Sequence, residues 1–308
     1  MFNIGILGHG RWGQILARNV LSHPLLQLRY ISDPGVSASL EFLNVNFIKD
    51  EAFWQLTSSD LDGVMIASPP ELHVAQAKKC LDRNWSVYIE KPISTSVYEV
   101  SELLNHMKRT SSSGMVGYLH RLSPAFLKIK SLINRAVVHE SLHITKIRSI
   151  GSGNGPFRQS YSSLWDYGPH DLSMLLDLVP GEWMVTNSVK EKAANGGEIY
   201  DFSLLHQNHS IEAHITVGSG SLEKKRFFEV TLSNGSTYAY DDQSTQKIRV
   251  VNPMGFIEYP EVSSALALTE SIKRYVEVMA KKEFDDSIFL SAELTKIINH
   301  VDQSVRIL

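Results

Sequence analysis

The chain has 308 residues, and a length of about 150 residues per domain sets a prior of two domains. Thirty Lys+Arg against thirty-three Asp+Glu leave a formal charge of −3. That balance excludes the basic footprint of a nucleic-acid binder. With 43% AVILMFWYC and 20% charged residues, the chain can fill a core and lacks the composition of disorder. The longest apolar run is four residues, at 64–67 and 265–268, whereas a membrane span needs about 18. A soluble protein without membrane partners is expected. Residues 1–3 lead straight into an apolar strand with no basic stretch before it, so no signal peptide is expected. The single cysteine, Cys80, cannot close an intramolecular disulfide, and a reducing cytoplasm is the simplest compartment.

Up to about residue 120, short apolar strands alternate with helical stretches. Residues 3–7 read as a strand, 13–21 as a helix, 28–32 as a second strand and 63–67 as a buried one. A helix over 71–82, a strand over 86–90 and a last strand over 115–118 follow. Strands separated by helices of this length imply βαβ units and a parallel sheet. Beyond residue 140 the pattern becomes one strand after another: 143–150, 199–207, 210–217, 226–232, 236–240 and 246–251. Asn208-His209 and Asn234-Gly235 mark turns between them, and Asn-Gly is a strong hairpin signal. Residues 151–163 read as a loop and 164–178 as a helix. Two amphipathic helices, about 263–282 and 287–301, follow. The fold expected is α/β: a parallel-sheet dinucleotide-binding domain over 1–120, then an α+β domain over 121–308 with a mostly antiparallel sheet.

The first motif is Gly8-His9-Gly10-Arg11-Trp12-Gly13, a G-x-G-x-x-G after a strand and opening a helix. Gly8 suits the tight turn, Gly10 lets the backbone approach a pyrophosphate, and Gly13 lets the helix pack closely on the strand. Asp33 ends the second strand 20 residues later. Its carboxylate suits an adenosine ribose and repels a 2′-phosphate, and Pro34-Gly35 supplies no Arg to neutralise one. NAD is therefore favoured over NADP.

Ligands of open α/β sheets gather outside the carboxyl ends of the strands. Two further strand ends carry distinctive residues: Ser68-Pro69-Pro70-Glu71-Leu72-His73 and Glu90-Lys91-Pro92. Ser68, Pro69, His73, Glu90 and Lys91 are the expected cofactor contacts there, and Lys91 can polarise a reacting oxygen. His73 reads equally well as an ordinary first-turn polar residue. In the second half, Trp165-Asp166-Tyr167-Gly168-Pro169-His170-Asp171 puts Asp166 and His170 four apart. On a helix they share a face, and an imidazole supported by a carboxylate is a workable general base. No ligand set for a metal is visible in the spacing.

Taken together, these motifs resemble the Gfo/Idh/MocA oxidoreductase family over essentially the whole chain. The resemblance implies a Rossmann domain followed by an α/β domain on a large open sheet that often mediates oligomerisation. It implies a catalytic set of Lys91, Asp166 and His170 and a cis peptide before Pro92. Trp12-Gly13 and the segment 164–173 are similar to the branch acting on nucleotide-linked sugars. Arg158, His120 and Trp165 are the further substrate contacts expected. Two departures stand out: other branches often carry an Asn near Leu119, and Ser173 stands where they often carry a second Asp, with Asp171 beside His170 instead.

The resulting expectation is hydride transfer between NAD and a secondary hydroxyl or keto group of a sugar, in a homo-oligomer. Two alternatives stay open from the sequence: a sugar hydrolase or isomerase that uses NAD without net redox, and a non-catalytic NAD-sensing protein.

Overall fold

The computed structural model describes residues 1–35, 42, 44–153, 162–193, 196–207, 211–221 and 224–307. They divide into two compact units: Met1–Tyr118 with Thr269–Ala292, and Leu119–Leu268 with Glu293–Leu308. The return of residues 269–292 to the first unit does not follow from the sequence, which places them in the second domain.

In the first unit, β1 (Phe2–Leu7) leads to α1 (Arg11–Ser22), β2 (Leu26–Ser32), β3 (Asn46–Ile48) and the single turn α2 (Asp50–Phe53). Then come β4 (Gly63–Ile66), α3 (Pro70–Leu81), β5 (Ser86–Ile89), α4 (Val97–Met107) and β6 (Gly114–Val116). The six strands are parallel in the order β3-β2-β1-β4-β5-β6, the doubly wound order of dinucleotide-binding sheets. β4 and β5 are buried along their whole length, as strands covered on both faces must be. Local chemistry sets the helix starts. Pro70 occupies the first turn of α3, where its missing N–H costs nothing. Ser96 caps α4 by accepting a hydrogen bond from the Glu99 amide.

The second unit opens with a short 3-10 helix, Leu119–Leu122, then α5 (Pro124–His139), β7 (Ile144–Gly153) and α6 (Ser163–Leu178). A run of strands follows: β8 (Trp183–Lys192), β9 (Glu198–His206), β10 (Glu212–Ser219), β11 (Lys225–Leu232), β12 (Thr237–Asp241), β13 (Ile248–Val251) and β14 (Ile257–Glu258). The helices α7 (Ala267–Lys281) and α8 (Asp286–Ser304) and the strand β15 (Arg306–Ile307) complete the elements. The nine strands form one sheet, β14-β13-β12-β11-β7-β10-β9-β8-β15. It is mostly antiparallel, as expected, but β7 pairs β10 and β8 pairs β15 in parallel. Asn234-Gly235 makes the predicted hairpin between β11 and β12, with Gly235 at φ +86°. The Asn208-His209 turn lies outside the described residues.

One face of this sheet carries Tyr200, Phe202, Leu204, Ile215, Val217, Phe228 and Val230, all buried. α6 packs on β7, β9 and β10. α6 carries Pro169 in its interior. The ring removes the donor that would otherwise serve the Trp165 carbonyl one turn back.

Candidate active site

In the first unit the glycine turn is built by close contacts. Gly8 has φ +89°, and a Cβ on it would lie 2.6 Å from the Ser68 nitrogen at the end of β4. A Cβ on Gly13 would lie 2.0 Å from the Gly8 carbonyl oxygen. Gly13 thus lets the helix start fold back on the turn, where the sequence predicts close packing on the strand. Around Gly10 there is open space: nothing lies within 4 Å of a Cβ built there. The first turn of α1 carries no acidic residue, so its free N–H groups and the positive end of the helix dipole are not neutralised.

Asp33 stands just past β2 and is held from two sides. The His9 amide donates to its Oδ2 at 2.7 Å and the Gly35 amide to its Oδ1 at 2.8 Å. Both oxygens keep lone pairs for further donors, such as ribose hydroxyls. The His9 ring is buried edge-on against Phe42 and Phe47, at 5.0 and 5.5 Å between centroids. Its backbone serves Asp33 while its ring packs. Arg11 is exposed and Trp12 half-buried.

Two more strand ends complete this half. Ser68 and Pro69 follow β4, and the Ser68 hydroxyl donates to Gln76 Oε1 at 2.6 Å. Glu90 and Lys91 follow β5 and are both buried, and the Lys91–Pro92 peptide is cis. His73 departs from the expectation of a cofactor contact. It is 1% exposed, and its Nδ1 and Nε2 lie 2.8 Å from the carbonyl oxygens of Pro92 and Ser68. With both ring nitrogens against backbone, it packs beneath the loops. Burial pulls its pKa below the ordinary imidazole value, against the two carbonyls and Glu71.

In the second unit, α6 places Asp166 and His170 one turn apart on one face. His170 is 6% exposed and packs against the His120 ring, with centroids 4.7 Å apart and the planes at 90°. The 3-10 helix that carries His120 is what brings the two imidazoles together. Trp165, expected as a substrate contact, is buried. Arg158 lies outside the described residues. The Ser173 hydroxyl donates back to the His170 carbonyl at 2.7 Å.

Beside His170, Asp171 is completely buried. It pairs with Arg226 of β11 and accepts 2.6 Å from the Ser149 hydroxyl of β7. Burial pushes the Asp171 carboxyl above the usual carboxylate range, opposed by the Arg226 guanidinium and the Ser149 hydroxyl. A Cβ on Gly151 would lie 2.2 Å from Asp171 Oδ2, and one on Gly153 would lie 2.1 Å from the Tyr167 hydroxyl. Two glycines of β7 thus seat the Tyr167/Asp171 side of α6. The Asp166/His170 side is rotated about 100° from it, by one residue of helix. Sequence reasoning missed Arg226 and Ser149. The available signal was a charged residue on the inward register of β11, in phase with Phe228, Val230 and Leu232.

Among the described residues, no three His, Cys, Asp or Glu side chains gather as a metal site. No described helix is long and apolar enough to cross a membrane.

The strand order, the open glycine turn and the acid after β2 define a dinucleotide-binding Rossmann unit. The family model described as "Oxidoreductase family, NAD-binding Rossmann fold" (Gfo/Idh/MocA) matches residues 2–118. Residues 2–118 thus match the NAD-binding unit of this family, and the similarity of the chain to proteins named oxidoreductases marks it as an oxidoreductase. The uncharacterized oxidoreductase YrbE of Bacillus subtilis is 25% identical over 257 residues, 82% of this chain and 71% of that protein. Among solved structures, UDP-N-acetylglucosamine 3-dehydrogenase GnnA from Acidithiobacillus ferrooxidans matches with TM-score 0.83 at 16% identity, covering 99% of this chain and 97% of that one. KijD10, a 3-ketoreductase from Actinomadura kijaniata in complex with TDP-benzene and NADP, matches with TM-score 0.82 at 13% identity, covering 100% and 98%. At these identities the structural likeness is one of fold.

Proposed function

We propose that this protein transfers a hydride between NAD and a secondary hydroxyl or keto group of a sugar, with a nucleotide-linked sugar as the favoured class. The observation that carries the chemistry is Asp166 and His170 on one face of α6, with His170 buried beside His120. In this reading His170 takes the hydroxyl proton as the carbon is oxidised, and Asp166 steadies the imidazolium. Lys91, at the end of β5, is the further residue proposed to polarise a reacting oxygen. A nicotinamide, when bound, supplies the hydride acceptor. Gly8, Gly10 and Gly13 hold its pyrophosphate, and Asp33 takes the ribose hydroxyls.

Asp33 favours NAD, because its carboxylate repels a 2′-phosphate and neither Pro34 nor Gly35 offsets that charge. The nucleotide-sugar class draws support from the segment 164–173 and from the substrate and ligand named for GnnA and KijD10. A homo-oligomer fits the second sheet. Its outward register, including Ile150, Ile199, Leu205 and Phe227, is only half-buried within one chain, and sheet faces of this kind favour a partner. The single buried Cys80 suits a reducing cytoplasm.

The test is an assay of NADH formation with NAD and a panel of nucleotide sugars and free polyols. A substrate that yields NADH with wild type and not with Lys91→Ala supports the reading. Consumption of substrate with no net NADH assigns the chain instead to chemistry that returns the cofactor unchanged.

A further inference from the structure

Two loops of the first unit end adjacent parallel strands, residues 67–69 after β4 and residues 90–92 after β5. One side chain touches both. His73, in the first turn of α3, sets Nδ1 2.8 Å from the Pro92 carbonyl oxygen and Nε2 2.8 Å from the Ser68 carbonyl oxygen. The ring is 1% exposed, with its contact to Pro92 buried and its contact to Ser68 part-buried. Gln76, three residues further along α3, takes the Ser68 hydroxyl, so the first loop is held by side chain as well as backbone. On its other side that loop lies against the glycine turn, since a Cβ on Gly8 would stand 2.7 Å from the Ala67 carbonyl carbon. Contacts therefore run without a break from Gly8 through Ala67 and Ser68 to His73, and on to Pro92, the residue after Lys91.

We propose that His73 is a positioning residue for the nicotinamide end of the cofactor crevice: it clasps the Lys91-Pro92 loop to the Ser68 loop. The proposal rests on reading this crevice as a nicotinamide dinucleotide site. A histidine serving the ligand directly would need a ring nitrogen for it, and here both face backbone. The flat ring carries nitrogens on two edges, so it can span two carbonyls that no aliphatic side chain could satisfy. In the neutral ring, which burial favours, one nitrogen donates and the other abuts the second carbonyl; the imidazolium donates to both. Without the ring, two carbonyl oxygens lose their neighbour and the loops lose their common anchor.

NADH and ADP-ribose binding separate this role from general stabilisation, because ADP-ribose carries the adenosine and pyrophosphate but no nicotinamide. Titrations would compare wild type, His73→Leu and His73→Gln, with thermal melts alongside. The clasp predicts NADH affinity about 10-fold weaker in His73→Leu, the scale of one or two lost hydrogen bonds. ADP-ribose affinity should stay within about twofold, since its contacts at Gly8, Gly10 and Asp33 are untouched. His73→Gln, which keeps one donor, should recover part of the NADH loss. Equal weakening of both ligands, or a melting change with both affinities intact, would overturn the clasp. Where His73→Leu does not fold, an unchanged NADH to ADP-ribose ratio in His73→Gln overturns it too. Wild-type protein that binds ADP-ribose but neither NADH nor NADPH contradicts the cofactor reading, and the clasp falls with it. Normal wild-type binding with an unmoved ratio in the variants refutes the clasp alone.

Discussion

Replacing Arg226 by Met removes the cation that faces Asp171, whose side chain has no exposure while that of Arg226 has 8%. A single carboxylate then remains in the interface between α6 and the sheet, with the Ser149 hydroxyl still donating to it. Breaking a buried pair from one side costs about 3–5 kcal/mol. For a unit of this size that is a fall of about 6–20 °C in melting temperature. The cost has a signature in pH. Burial already pushes the Asp171 carboxyl up against the pull of Arg226, and losing Arg226 pushes it further. A carboxyl whose folded pKa lies above its unfolded value binds more protons in the folded state, so stability falls as pH rises between the two. The deficit of Arg226→Met should therefore be small near pH 4 and grow towards pH 7. Calorimetry across that range measures it, with Asp171→Asn/Arg226→Met as the control that removes the charge and narrows the deficit. A variant within about 2 °C of wild type at pH 7, below the cost of even 1 kcal/mol, would refute the argument. So would a deficit that does not change with pH.

Three further predictions concern the first unit. Gly13→Ala puts a methyl group 2.0 Å from the Gly8 carbonyl, so the turn must shift. Dinucleotide affinity measured by titration should drop about 10-fold or more, equivalent to 1.4 kcal/mol. Asp33→Ser removes the charge that opposes a 2′-phosphate, and the NADPH to NADH affinity ratio should rise about 10-fold; an unchanged ratio would remove Asp33 from cofactor discrimination. Burial holds the His73 pKa below its unfolded value, so its contribution is present above the unfolded pKa and lost as pH falls through the folded one. Denaturation at pH 7 and pH 5 should show a shallower acid loss in His73→Gln than in wild type.

What could be read from the sequence was local. The glycine turn, the carboxylate 20 residues on and the paired Asp166/His170 each declare themselves within a few residues. Five of the six Rossmann strands were legible, the central ones because burial on both faces leaves runs such as Val64, Met65 and Ile66 without polar interruption; the short β3 was not. β8 was not, because Trp183–Lys192 mixes polar and charged residues on both registers. The Asp171–Arg226 pair joins positions 55 apart, with no motif to link them. His73 read equally as a cofactor contact and as a first-turn polar residue, because its two partners are main-chain oxygens, which leave no trace in composition. Amphipathic spacing identified α7 and α8, but periodicity shows that a helix has an apolar side and not what it packs on. Tyr275 of α7 donates to the Ser86 carbonyl at 2.8 Å and Ser287 of α8 accepts from the Val116 amide at 3.0 Å. These contacts, which bring residues 269–292 back to the first sheet, span 171 residues or more.

The proposed function has this chain oxidise a sugar carbinol with Lys91 and His170 as the acting residues. NADH formation over a nucleotide-sugar and polyol panel, run with wild type, Lys91→Ala and His170→Ala, tests it most directly. NADH is expected with at least one sugar, with a turnover about 10²–10⁴-fold lower in each variant, the usual scale of acid–base assistance. NAD affinity should be retained in both. Turnover that survives in both variants, or a loss of NAD affinity as large as the loss of rate, would contradict it.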